Sequence, residues 1–543
     1  MTAPFAWSLP HPSAREPVCG RAVVATSVPV AASAGLDILR RGGNAVDAAV
    51  ATAACMTVVE PTTNGLGGDA FALVWDGTQV QGFNGSGCSP AGFDASALAG
   101  RTRFPRLGWV PVTVPGEVAL WRDLSRRLGR LPFADLMAPA IEFAERGYPL
   151  SPQTAALWGR AVSTYAARPD WCETFLFDGR APRAGEIVRL PGHARTLRTI
   201  ADSEGEAFYT GEIAAAIEAA AIAEGGAMRA SDLAAHQTLE VEPISVDYRG
   251  ATLHEIPPNG QGIAALVALG VLRSFDLPSL DPECPDVLHL QIEAVKLGFA
   301  DAHRHVADPR FVDRDPAELL APDRLRGLAS RIDPAAAQTF DAGTPRPGGT
   351  ILLCAADDEG RCVSFIQSNY TGFGSGVVLP EWGLAMQNRG ACFHLDPTHP
   401  NAAAPGKRPY HTIIPALATP TDPTAAPSAG LMAFGVMGGF MQPQGHVQVL
   451  SRVRDHARNP QAALDAPRFQ WTSGRSVMVE PGFPDATLAD LESRGHQLKR
   501  AASRSATFGR GQAIHALGAS GHGDEVAWCA GSDSRADGQA AAR

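Results

Sequence analysis

Apolar and polar positions change period several times along the chain. From Val30 to Arg41 the apolar residues fall on one helical face, Gly42-Gly43-Asn44 interrupts them, and AVDAAVATAACMTVV resumes with small apolar residues almost all round. This predicts an amphipathic helix followed by one buried on every side. Thr62 to Asp69 is a turn cluster, and FALVWDG after it alternates as a strand. Between about 115 and 330 helical spacing dominates, most clearly in PFADLMAPAIEFAERG, EIAAAIEAAAIAEGG and PDVLHLQIEAVKLGFADAHRHVAD, the last opened by Pro285-Asp286. From 331 to 349 the pattern dissolves into a Pro/Gly-bearing stretch that predicts a mobile linker. TILLCAAD, the turn Asp358 to Arg361 and CVSFIQS then predict a hairpin whose strands are apolar on both faces, hence a sheet covered on both sides. Residues 416–429 read as an Ala/Pro-rich insert, and no internal repeat is found.

Composition narrows the function classes. Hydrophobic residues are 45% of the 543 and charged residues 19%, against about 25% charged in ordinary soluble domains, so burial is extensive. The net charge of −10 and the lack of a basic stripe exclude a phosphate-tracking surface and a nucleic-acid partner. The first residues carry prolines and charges where a secretory leader needs an apolar core, and Ala429 to Met441 is far short of the ~20 residues of a membrane helix, so a cytoplasmic protein without a membrane partner is expected. Nine scattered cysteines without ligand spacing predict reduced, mostly buried thiols and no metal. His303 and His305 flank Arg304 on different sides of a helix and read as surface histidines. Gly65-Leu66-Gly67-Gly68 lies between a helix and a following strand, the reverse of the order a dinucleotide loop requires, so no cofactor is expected.

The candidate chemistry sits where the linker meets the hairpin. Gly348-Gly349 runs into Thr350 at the first position of a two-faced strand, an odd place for a hydroxyl. If the Gly349–Thr350 bond is cut, the new α-amine, with an ordinary pKa of ~7.7–8.0, can serve as base for the hydroxyl of the same residue. Gly349 suits a scissile peptide because it tolerates unusual dihedrals. A Gly-Thr pair by itself is equally an ordinary strand start.

Its neighbours add weight. GGNAVDAAVA (42–51), VEPTTNGLGGDAF (59–71), VPGEVALW (114–121), EAVKLGFADAHRHVADPRFV (293–312), the Thr350 hairpin, YTGFGSG (370–376), GKRPYHTIIPAL (406–417), MGGF (437–440) and DAPRFQW (465–471) follow one another, ending at SDSRADG (532–538). Together they resemble the γ-glutamyltransferase family, in family order over nearly the whole chain. The resemblance implies an N-terminal-nucleophile hydrolase with a four-layer αββα sandwich. It implies a proenzyme that cleaves itself into a large chain 1–349 and a small chain 350–543. The two products would stay together as a heterodimer, with pairing of two heterodimers as a further expectation. Counted from Gly360, Thr350 falls on the catalytic position, Ser368 on the hydroxyl that bonds the threonine amine, and Gly438-Gly439 on the oxyanion hole.

Departures from the family pattern bear on the substrate. Asn84 stands where an arginine clamps the glutamyl α-carboxylate, Cys392 where an acid holds the α-ammonium, and His411-Thr412 replace tandem serines. Arg389 stands where the family usually has a neutral amide; its fork suits a carboxylate, and a structural ion pair is the equal alternative. Tyr370 joins the substrate-binding candidates, and the segment from Phe393 to Lys407 looks shorter than the family's lid loop, leaving the site open to water. These features resemble the γ-glutamyltransferase-like amidohydrolases and imply hydrolysis of a small carboxylate-bearing, oxamate-like amide. The alternatives are γ-glutamyl hydrolysis or transfer, with Arg389 or Arg468 as the clamp, and an unprocessed, non-catalytic homologue.

Overall fold

Alternating strands sort the side chains into layers. The computed structural model describes residues 14–312, 314–341, 343, 348–422, 424–425, 430–517 and 526–543. One seven-stranded sheet contains, in spatial order, 539–542, 23–26, 349–356, 362–370, 69–75, 80–84 and 239–241. The other contains 18–20, 527–532, 510–517, 432–437, 416–420, 251–255 and 244–248. Every neighbouring pair is antiparallel. In strand 349–356, Ile351, Leu353 and Ala355 pack with the helices 29–40 and 45–59, whereas Leu352, Cys354 and Ala356 enter the space between the sheets. In the facing sheet Ala433 and Met437 fill that same space, while Met432, Phe434 and Val436 pack with helices 263–272 and 285–305. Helix, sheet, sheet, helix is the four-layer αββα sandwich.

The elements agree with the periodicity where it was strongest. Helices occupy Pro29–Arg40, Ala45–Val59, Phe133–Arg146, Glu212–Ala223 and Pro285–His305, and all fifteen residues of Ala45–Val59 are buried. The Gly42-Gly43-Asn44 break also starts the second helix: the Asn44 side chain accepts from the N–H groups of Val46 and Asp47, and Asp47 reaches back to the Asn44 N–H, a reciprocal cap.

The insert reading of 416–429 is corrected at its start. Ala416–Pro420 is a strand inside the second sheet, paired on both sides, because Ala416, Leu417 and Ala418 are apolar enough to be buried and Pro420 falls at its last position. Part of the insert, at 423 and 426–429, lies outside the described residues, as do linker residues 342 and 344–347 and the N-terminal residues 1–13. The linker's described beginning lacks regular structure but is fastened down: Lys296 Nζ donates to Gln338 O, the Gln338 N–H to Glu293, and the Ala337 N–H to Arg494 O.

Candidate active site

Strand 349–356 brings Thr350 to the end of the inter-sheet space. By parity Thr350 shares the inner face with Leu352 and Cys354, and Ser368 shares it with Ile366 on the neighbouring strand. The register slips between the Gly349–Tyr370 and Ile351–Gln367 pairs, where Thr350 alone stands against Ser368 and Asn369. Such a bulge re-aims side chains, and here it lies opposite Thr350. The chain is continuous through Gly349 and Thr350. Thr350 Oγ1 is 2.7 Å from Gly349 O, Ser368 Oγ is 2.5 Å from that same oxygen, and the two hydroxyls are 3.5 Å apart. Two donors therefore converge on the carbonyl preceding the candidate nucleophile. The Tyr370 N–H donates to Ser368 Oγ at 2.8 Å, and Gln442 Nε2 approaches Thr350 Oγ1 at 3.4 Å. The unusual dihedral expected at Gly349 is found instead across the ladder, at Tyr370, with φ of 75°; a side-chain-bearing residue held there stores strain.

Gly438 and Gly439 join strand 432–437 to helix 441–454 with φ of +126° and +60°, values that favour glycine. The Gly439 Cα lies against Gly348, 3.3 Å from where a Cβ would stand, so the pair adjoins the linker just before Thr350. Among the described residues neither of their N–H groups meets an acceptor. Gln261 Nε2 donates to both Gly439 O and Thr412 O, and Tyr410 OH donates to Gln261 Oε1. One amide thus ties the glycine turn to the Arg389 partner Thr412.

Arg389 is fully buried with its guanidinium 4.7 Å from the Tyr370 ring centroid. Its NH1 donates to Thr412 Oγ1 at 2.8 Å and lies 4.0 Å from Cys392 Sγ, while Nε and NH2 have no partner. Among the described residues no carboxylate forms an ion pair with it, although Asp69 lies near enough to feel its charge. Arg468 is the opposite case, spent on Asp533 and three backbone carbonyls. Beneath Arg389, His411 Nε2 is 3.0 Å from Asp69 Oδ2, and Gln387 donates to Asp69 Oδ1. Burial pushes Asp69 up to about 7 against the pull of Arg389 and Gln387; burial, then Arg389, holds His411 well below its usual value. Asn84 stands apart: its amide is taken up by Asn259 and by the Ser86 N–H and hydroxyl.

Tyr370, Cys392, Phe393, Tyr410 and Phe440 wall a cavity of about 520 Å³ beside this corner, with Asp341 and Gly343 of the linker at its edge. His303 is corrected here. It is half-buried in that wall, stacked on Tyr410 at 5.8 Å and on Phe440 at 5.4 Å, because the helix turns that face toward the aromatic cluster rather than to water. The segment 393–407 contributes His394 and His399 to the cavity. One group of metal-type ligands exists among the described residues, His289, Glu293 and His496; Lys296 Nζ, 2.6 Å from Glu293 Oε1, already supplies a cation there. Arg510, Glu60, Gln442 and Gln261 carry no site role in the sequence reading. Only Gln442, three residues beyond the glycine pair, carried a positional hint.

The family model for γ-glutamyltranspeptidase matches residues 31–543. The chain belongs to the γ-glutamyltranspeptidase family. Relatives within it are the oxamate amidohydrolase proenzyme of Klebsiella pneumoniae, 37% identical over 89% of this chain and 92% of that one, and the glutathione hydrolase-like YwrD proenzyme of Bacillus subtilis, 34% identical over 94% and 96%. A solved cephalosporin acylase from Bacillus halodurans superposes with a TM-score of 0.93 at 47% identity, covering 99% of both chains. Family, fold and hydrolase relatives together make the chain an enzyme, an N-terminal-nucleophile amidohydrolase of this family.

Proposed function

We propose that Thr350 is the nucleophile of an amidohydrolase whose substrate carries one carboxylate, and that the chain activates itself by cutting the Gly349–Thr350 bond. The observation that carries the reading is the convergence of the Thr350 and Ser368 hydroxyls on the Gly349 carbonyl oxygen. In self-cleavage Thr350 Oγ1 bonds to the Gly349 carbonyl carbon, the C–N bond breaks, and the nitrogen takes up the hydroxyl proton and leaves as the Thr350 α-amine. Water then hydrolyses the ester, returning the Thr350 hydroxyl and leaving a Gly349 carboxylate. In turnover the amine takes the hydroxyl proton as Oγ1 attacks the substrate amide and passes it to the leaving amine; water releases the acid. Gly438 and Gly439 offer their N–H groups to the oxyanion, a contribution of about 2.7–4 kcal/mol per donor in other enzymes.

Arg389 supports the substrate class. A buried guanidinium lacking two partners costs several kcal/mol, and a substrate carboxylate removes that cost by pairing with it. Similarity to the oxamate amidohydrolase proenzyme favours oxamate as the smallest probe, and the cavity leaves room for larger amides. The absence of an arginine at Asn84 weighs against a γ-glutamyl head group. The products 1–349 and 350–543 stay together because both sheets contain strands from each. A cytoplasmic setting suits the nine unpaired cysteines.

Intact mass under denaturing conditions, beside turnover of oxamate and γ-glutamyl-p-nitroanilide, tests this reading. Two fragments and faster hydrolysis of oxamate support it; an uncut chain that is nonetheless active overturns it.

A further inference from the structure

Strand 23–26 ends where helix 29–40 begins, so the carbonyls of strand 349–356 beyond it lose their backbone partners. Thr26 Oγ1 takes the Leu352 carbonyl, and Arg510 takes that of Thr350: its NH2 donates to Thr350 O at 2.9 Å. Arg510 comes from the first position of strand 510–517 in the facing sheet and spans the gap between sheets. Its NH1 donates to Glu60 Oε1 at 2.6 Å. Glu60 also accepts from Ser27 Oγ and Thr63 Oγ1, so both carboxylate oxygens are engaged. The guanidinium therefore bridges the Thr350 carbonyl and the Glu60 carboxylate, one nitrogen on each.

Resting on the reading of Thr350 as nucleophile, we infer that Arg510 is a positioning residue, fastened by Glu60, that fixes the Thr350 backbone and keeps its freed α-amine unprotonated near neutral pH. A cation beside an amine disfavours its protonated form, and only the free amine can take the hydroxyl proton. Among the described residues the charged groups facing the corner are Arg510, Glu60 and, beyond Glu60, Asp537, whose carboxylate is tied to the N–H groups of Gln153 and Thr154. Ser368 and Gln442 complete the surroundings and carry no charge.

Charge and scaffolding predict different results. The pKa of the Thr350 amine is read without substrate, from the pH dependence of its acetylation by acetic anhydride in the processed enzyme, measured on the N-terminal peptide by mass. Arg510→Met removes the cation and should raise that pKa by about one unit; Glu60→Gln removes the opposing charge and should lower it. Arg510→Lys keeps the charge and should restore the wild-type titration. A purely structural role would disturb both variants in the same direction or leave the titration unmoved, and either result overturns the inference. If Arg510→Met stays uncut, Glu60→Gln and Arg510→Lys decide; failure of the lysine variant to process as well overturns it. An uncut wild type would instead remove the Thr350 reading itself.

Discussion

Thr350 and the side chains that hold it find their partners within the chain, whereas Arg389 does not. The Thr350 hydroxyl, the Ser368 hydroxyl, the Gly349 and Thr350 carbonyls, Arg510 and Glu60 all have partners within the protein. Arg389 is equally buried, yet among the described residues two of its three nitrogens have none. The difference separates the two tasks of the site. On the proposed function the reacting group, Thr350, must be held in one geometry before substrate arrives, so its neighbours are internal, and Arg389 is left incomplete so that a ligand completes it.

The comparison breaks most visibly at the nucleophile. Thr350→Ala should remain one chain and lose all turnover, as shown by denaturing mass and by amide hydrolysis; fragments from this variant would remove Thr350 from the chemistry. Next in size, Gly439→Val should lower kcat by about 100-fold or more with little change in KM, since the positive φ and the developing oxyanion are both obstructed. Normal kcat with altered KM would reduce the glycine pair to a turn.

Arg389→Met sharpens the other side. KM for a carboxylate amide should rise about 10–100-fold, the worth of a charge-assisted contact, while thermal stability stays level or increases because a buried guanidinium with two unpartnered nitrogens is gone. Lower stability with unchanged KM would show that Arg389 serves the fold. The smallest effect concerns Asp69. Its folded pKa of about 7 lies above the ordinary ~3.9, so from pH 4 to 7 the unfolded chain releases a proton the folded chain retains. Stability falls as pH rises through that window. Asp69→Asn should flatten that fall, read as urea midpoints across it; an unchanged slope would assign the titration elsewhere.

Much of the architecture was legible because periodicity reports burial directly. The all-round small apolar run at 45–59 and the two-faced strands after Gly349 could be satisfied only between layers. The misreadings fell where a side chain's role depends on distant neighbours. His303 reads as surface on its own helix, but Tyr410 and Phe440 arrive from far along the chain to cover it. Ala416–Pro420 looks like insert until two strands flank it.

By itself, then, the sequence determined a hairpin covered on both faces and the place of Thr350 at its glycine-led start, since both follow from local spacing and backbone preference, while the four-layer order entered only through the family resemblance. Only the tertiary structure decided that, among the described residues, Arg389 forms no ion pair while Arg468 does, and that Arg510 crosses between sheets to hold the Thr350 carbonyl. Charge pairing is a matter of a few ångströms between segments as much as 450 residues apart, and no local pattern along the chain encodes such a distance.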